Sequence, residues 1–425
     1  MATDETAVSV TETALPAESI ARAWREVGRV WWQATLAVLP AFLMTRLVFL
    51  LLTYFGGVLF TLPNYAPFPL TANGVLYSWY HWDATRYLAI AGQGYLDSSY
   101  TPYFPLYPAL VHAVGALFHR DLLLTAMLVS NLAFLGALVV FYRLMEREGL
   151  DGETARRAVL YLAIFPTALF CFAASAEPLF LLFMLLCFYA LRHSQWWLAG
   201  LFGALAALTY SVGILLFVVF LCEFLRQHAL SLRQARGERQ PLRYWLQFSG
   251  ILASLLIPLG LAIYLYALHR QFQDAFAFLH PQSNASFSLP WQAPLAAIAS
   301  LLKVSPFTFI VTHSLFQLLI FVFVLALLVL ACVGTQRFTR EQWPFVLFTV
   351  LVLVYTLSFP DLPNAQRSLY DPLPALLHNV LFLFPCFMIL ARLGRRAWLH
   401  QGYFLLSLPL LSFLVLQLLT GHWTI

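Results

Sequence analysis

The sequence predicts an all-α protein, a polytopic membrane bundle of about eleven transmembrane helices, with interfacial helices in its first large outer loop. Three observations predict it. Only 10% of the 425 residues are charged, 61% are hydrophobic and the mean hydropathy is +0.78, whereas a soluble domain carries roughly 25% charged residues. Apolar runs long enough to cross about 30 Å of hydrocarbon, at about 1.5 Å per residue, recur from residue 34 to residue 420. The basic residues between those runs fall mostly on one side of the membrane.

Residues 1–33 mix acidic and basic side chains and lack the apolar core and small-residue cleavage site of a signal peptide, so the first span remains as an anchor. They form an N-terminal cytoplasmic or interfacial segment ahead of a single membrane domain, residues 34–425. Within them IARAWREVGRVWW, residues 20–32, sets Trp24, Val27 and Trp31 on one helical side. That is the pattern of a helix lying on the membrane, with a linker as the alternative. The expected spans are 34–58, 122–143, 157–174, 177–192, 196–209, 212–226, 245–268, 308–332, 344–360, 375–392 and 402–420.

One more apolar stretch, YFPLYPALVHAVGALF at 103–118, is short, and Pro105, Pro108, His112, Gly115 and His119 give it a wetter stripe. It suits a surface helix better than a span. With it left out and the N-terminus inside, the outer segments hold only Arg86, Arg120, Arg270, Lys303 and Arg367, Arg46 lies within the first span, and the rest of the 24 Lys and Arg residues are inside. Counting it as a span would carry Arg143, Arg147, Arg156 and Arg157 outside, against the positive-inside bias. The same bias makes residues 196–226 go out and return. Their turn falls at Thr209, Tyr210, Ser211 and Gly213, a broken helix of the kind tolerated where it lines a cavity. A single long tilted span is the alternative. The outer face thus receives segment 59–121, the tip 174–177, the turn at 209–213 and the loops 269–307 and 361–374.

Composition also excludes some functions. The net charge of +5 is spread between spans and not interleaved with aromatics, so no nucleic-acid partner is implied. Cys171, Cys187, Cys222, Cys332 and Cys386 sit in apolar runs without metal-ligand spacing and read as core residues. Lack of an internal repeat weighs against the inverted-repeat transporters. No inner soluble domain or Gly-rich phosphate loop is present to bind a nucleotide sugar.

The window HWDATRYLAIAGQGY, residues 81–95, is unusually polar for its surroundings. As a helix it sets Ala84, Leu88, Ala91 and Tyr95 on one side and Asp83, Arg86 and Gln93 roughly opposite. Such a helix rests on the membrane and turns a carboxylate and a guanidinium toward water or a cleft. The alternatives are Asp83 as an N-cap, or an ordinary Asp83–Arg86 surface pair.

The order HWD-x-x-x-Y-L-x-I-A-x-x-G-Y, then YFPLYP, then a charged inner loop, then IFPTA and SAEPLF, resembles the PIG-V-type mannosyltransferases and their bacterial relatives, within the GT-C class of membrane glycosyltransferases. The match is best over residues 78–213. The resemblance implies a GT-C-like fold with two surface helices and an essential acid in the first outer loop, and a sugar donor on polyprenyl or dolichyl phosphate. Asp83 then matches that acid, whose task is to take the proton from an acceptor hydroxyl as it attacks the anomeric carbon. The lipid-phosphate leaving group needs cationic hydrogen-bond donors more than a second acid. Arg367 is the first candidate, as the one basic residue of the last large outer loop, with a local pair to Asp361 or Asp371 as its alternative. Arg86 is the second candidate. Arg46 has either a structural or a lipid-phosphate role.

Glu177 matches the glutamate of the family's S-E-x-L-F motif, with helix N-terminal stabilisation as its alternative. His81, Tyr87, Tyr107 and Tyr210 are candidates for sugar or acceptor contact, as are His112 and His280, each with a packed or solvent-facing ring as the alternative. At the broken helix, LTYSVG places Tyr210 where relatives resemble L-T-R-P-x-G. The pattern Asn284-Ala285-Ser286 carries no assignment. No cofactor is required, no metal ligands are assigned, and a divalent metal is compatible. The implied partners are a lipid-linked sugar donor, a glycan or glycolipid acceptor and membrane lipids. The implied location is the plasma membrane, if the source is bacterial, with the site on the outer face. A flippase for a lipid-linked saccharide and a non-catalytic scaffold are the competing readings.

Overall fold

A computed structural model describes residues 17–59, 77–118, 121–235, 249–279, 288–303, 309–359, 373 and 375–419. The first helix, α1 (Ala17–Leu59), leads to the short pair α2 (Asp83–Gln93) and α3 (Leu106–Phe118). Then come α4 (Leu122–Arg147), α5 (Gly152–Ala163), α6 (Glu177–Arg192), α7 (Trp196–Thr209) and α8 (Leu215–Ala235). The chain continues through α9 (Leu256–Phe272), α10 (Gln292–Lys303), α11 (Phe309–Cys332) and α12 (Trp343–Ser358), and ends with α13 (Leu376–Asn379), α14 (Phe384–Leu393) and α15 (Ala397–Leu419). The described residues contain no strand, as the all-α expectation requires.

Among the described residues, seven helices are long and apolar enough to cross a membrane, or eight if a bent pair is taken as one span. The count of eleven is not confirmed, because several expected spans are short or interrupted. The stretch 157–174 is α-helical only as far as Ala163 and continues as a 3-10 turn, Pro166–Cys171, since proline lacks the N–H and clashes with the preceding turn. Residues 375–392 bend by 68° between Phe382 and Phe384, where Pro385 opens α14. Helices α6 and α7 are 16 and 14 residues long. A second correction concerns residues 20–32, which do not form a separate surface helix. They are continuous with the first span in a 43-residue α1, because Gly28 is the only poor helix former among them. Trp24 and Val27 are exposed, whereas Trp31 packs edge-on against Tyr189 at 5.3 Å.

The break near residue 210 folds the chain back on itself. Tyr210 is extended, and a Cβ on Gly213 would come within 2.6 Å of the Ala206 and Ala207 backbone, so only glycine permits this close return. Ser194 Oγ donates to Gln227 Oε1 at 2.7 Å, joining the two flanks of α7 and α8 at one end of the bundle. The long tilted span is therefore ruled out. Helix α7 packs closely on the segment that opens α9, where a Cβ on Gly200 would sit 2.1 Å from the Ala253 carbonyl oxygen; small residues let membrane helices approach in this way.

Basic residues converge at that same end. Arg192, at the end of α6, pairs with Glu148 and with Glu223, 3.2 Å away, and Arg226 also pairs with Glu223. Gln342 donates to Glu148 at 2.9 Å and receives a bond from Arg392 at 3.3 Å, while Arg395 pairs with Asp151. This network gathers the ends of α4, α6 and α14 and the starts of α5 and α12, the grouping that the positive-inside count requires. The polar window 81–95 lies at the opposite end.

Candidate active site

Helix α2 begins as the sequence pattern predicts, with Ala84, Tyr87, Leu88, Ile90 and Ala91 buried. It packs on α3, where His112 Nδ1 lies 2.7 Å from the Ala91 carbonyl oxygen. Its entry is strained: Trp82 has φ 55° and ψ −125°, a conformation that costs a bulky residue roughly 1–3 kcal/mol. Trp79, buried just before it, is fixed by donating from Nε1 to Thr53 Oγ1 on α1 at 3.0 Å. The sharp entry turns Asp83 into a cleft and away from open water.

The cleft has a volume of about 480 Å³, and its lining includes His81, Trp82, Asp83, Arg86, Tyr103, Phe170, Ser175 and His378. Tyr103 donates to Asp83 Oδ1 at 2.9 Å. Glu177, 1% exposed at the start of α6, lies with its Oε1 2.5 Å from His378 Nδ1. The imidazole stacks on Phe170 with ring centroids 4.0 Å apart. Ligand atoms of Asp83, Glu177 and His378 all lie within 4.8 Å of one another, and Glu177 Oε2 is buried without a hydrogen-bond partner. Two carboxylates and an imidazole at this spacing could hold a divalent cation that accepts mixed oxygen and nitrogen ligands.

Burial is the largest influence on Asp83 and pushes its carboxyl above the usual carboxylate range. The His378 charge opposes this, Glu177 adds to it, and Tyr103 and Arg86 favour the ionised form.

Two broken helices build the site. The bend at Leu383 places His378 on the approach to α14. The 3-10 turn after Pro166 brings Phe170 and Ser175 to the cleft and frees carbonyl groups, which side chains from α1 and α4 then satisfy. Arg46 donates to the Cys171 carbonyl at 3.1 Å, Asn131 to that of Phe172 at 3.1 Å, and Ser130 to that of Ser175 at 2.8 Å.

These contacts decide between the alternatives left by the sequence. Asp83 is neither the N-cap of α2, which is Trp82, nor ion-paired with Arg86 among the described residues. Arg86 lines the cleft with its guanidinium 5.0 Å from the Tyr100 ring centroid. Arg46 does not reach the cleft. Its guanidinium lies 4.6 Å from the Phe42 ring and 4.9 Å from that of Phe134, so it braces the broken span and is not placed to bind a donor phosphate. Tyr107 is fully buried with its hydroxyl engaged by Ala126 O and Ser130 Oγ, which removes it from the substrate contacts. Tyr87 packs edge-on against both Tyr103 and Tyr107 at 5.0 Å, behind the cleft wall. Tyr210 packs on Phe180 and Phe382. His81 lines the cleft.

Arg367, His280 and the Asn284–Ser286 pattern lie outside the described residues. The sequence reading missed Tyr103 and His378. Tyr103 opens the YFPLYP motif, and His378 is an ionisable residue in an apolar run, which is itself a signal of function.

Span-length apolar helices around a cleft lined by Asp83, Arg86, His81 and His378, with Glu177 held against His378, define an integral multi-pass membrane protein with the makings of an active site. The profile of the mannosyltransferase (PIG-V) family matches residues 66–277, and the chain belongs to that family. None of the curated proteins matches it in sequence. Among solved structures, it is similar to the archaeal oligosaccharyltransferase AglB of Archaeoglobus fulgidus in complex with an inhibitory peptide and a dolichol-phosphate, with 10% identity and a TM-score of 0.38, over 90% of this chain and 55% of that one. It is also similar to the Archaeoglobus fulgidus oligosaccharyltransferase tethered to an acceptor peptide containing the NVT sequon, with 12% identity and a TM-score of 0.40, over 88% of this chain and 55% of that one. The chain thus spans about half the length of these two proteins.

Proposed function

We propose that the chain moves a sugar, mannose from its family, from polyprenyl or dolichyl phosphate to an acceptor hydroxyl on the outer face of the membrane, with inversion at the anomeric carbon. In a bacterium that membrane is the plasma membrane. The observation that carries this reading is the position of Asp83, in a cleft at the bundle end opposite the arginine network, with Tyr103 bonded to one carboxylate oxygen. Asp83 takes the proton of the acceptor hydroxyl as its oxygen bonds to the anomeric carbon and the bond to the lipid phosphate breaks. Negative charge grows on the leaving phosphate and is met by cationic donors, Arg86 from the cleft wall and Arg367 from the last outer loop. Glu177 and His378 hold each other and set the field around Asp83. The ionisable groups of the cleft and of the arginine network lie at opposite ends of the bundle, which favours transfer chemistry over transport, where they are commonly near the midplane. The direct test offers purified protein either polyprenyl-phosphate mannose or a nucleotide mannose with candidate glycan acceptors. Product is expected from the lipid donor alone; product from the nucleotide sugar alone would overturn the reading.

Two further results are expected at this site. A base must be ionised to act, and burial raises the Asp83 carboxyl, so the acid limb of kcat/KM against pH should lie above the ordinary aspartate value of about 4. Tyr103→Phe removes a hydrogen bond that favours the carboxylate and should move that limb to still higher pH; a shift downward would count against the assignment. Secondly, His378 already engages Glu177 Oε1, and the leaving phosphate is met by arginine donors in this reading, so EDTA is expected to leave transfer unchanged. Loss of transfer with recovery on adding manganese would instead make Asp83, Glu177 and His378 cation ligands.

A further inference from the structure

A second cavity, about 760 Å³, lies at the arginine-rich end of the bundle between α1, α4 and α5. On α1 its wall includes Gln33, Ala37, Ala41 and Met44, spaced by three or four residues, so one helical face runs along it. Its wall runs from Val30 to Met44 along α1, a length of about 21 Å at the helical rise. One leaflet of a bilayer, with its headgroups, has about the same depth.

The cavity changes character along this length. At the Val30 end Arg143 and Glu146 from α4 and Arg156 from α5 face it, whereas the Met44 end is apolar. Arg143 pairs with Glu146 and lies over the Trp31 ring at 5.9 Å, yet its Nε is buried with no hydrogen-bond partner. Arg156 is exposed. Two guanidinium groups against one carboxylate leave the polar end cationic. Small side chains at Ala37 and Ala41 open the apolar end.

We infer that this groove binds one anionic glycerophospholipid, its phosphate headgroup at Arg143 and Arg156 and an acyl chain along the Ala37–Met44 face of α1. The polarity gradient and the one-leaflet length together select a lipid over a soluble anion, and the net positive end selects an anionic headgroup. The groove is separate from the Asp83 cleft, so the inference does not depend on the proposed reaction.

Delipidated protein in detergent, titrated with phosphatidylglycerol, phosphatidylcholine or polyprenyl phosphate and read by native mass spectrometry, tests this. Wild type should take up one copy of phosphatidylglycerol with higher affinity than phosphatidylcholine, by about fivefold for each arginine engaged. That preference should disappear in the Arg143→Gln/Arg156→Gln protein, while Ala37→Phe should lower the affinity for both glycerophospholipids. Equal binding of the two by wild type, unchanged selectivity in the arginine variant, or preferential uptake of polyprenyl phosphate would overturn the inference. Thermal unfolding in detergent serves as the folding control for all variants.

Discussion

Asp83→Asn is expected to reduce sugar transfer by about 10²- to 10⁴-fold, the range a positioned general base contributes, while leaving the protein folded. Asparagine matches aspartate in size and can still accept the Tyr103 hydroxyl, so the cleft wall keeps its shape. It cannot take a proton from the acceptor. If the carboxylate acted only to cap α2 or to pair with Arg86, the same substitution would lower stability and leave turnover nearly intact. Transfer rate and thermal unfolding, measured on one preparation, therefore separate the two roles. Wild-type turnover in the Asp83→Asn protein would remove Asp83 from the mechanism.

The second large effect is on stability. Glu177 is buried, and its partner His378 is stacked on Phe170. Removing one member of a buried pair strands the other without compensation and typically costs about 3–5 kcal/mol. His378→Ala should cost that much in thermal or denaturant unfolding, and should also lower transfer by altering the field at Asp83. Removing the stranded charge should recover part of the loss, so Glu177→Gln combined with His378→Gln is expected to be more stable than the sum of the two single variants predicts. Strict additivity would mean that the contact carries no coupling.

Much of this arrangement was legible in the sequence, for identifiable reasons. Distribution of arginines depends on topology, and so it separated the cleft end from the arginine-network end and required the hairpin of 196–226, which Ser194, Gln227 and Gly213 close. Helical spacing of apolar residues in 81–95 gave the buried face of α2. What hydropathy does not show is where an apolar run breaks. Pro166 and Pro385 stand in runs that read as continuous spans, yet each break changes what the neighbouring side chains do. The first gives Arg46 a carbonyl to satisfy and the second brings His378 beside Glu177. Arg46 and Tyr107 looked like site residues because buried polarity in a membrane suggests function; here their partners are the carbonyl oxygens of Cys171 and Ala126. Pairing of His378 with a residue 201 positions away is a tertiary fact that no local pattern carries.

The most direct test of a single displacement assisted by Asp83 is the stereochemistry of the product. NMR of the sugar transferred from polyprenyl-phosphate mannose of known configuration reads the coupling at the anomeric carbon. Inversion relative to the donor is the predicted result; retention would require a glycosyl intermediate on the protein and would contradict the account.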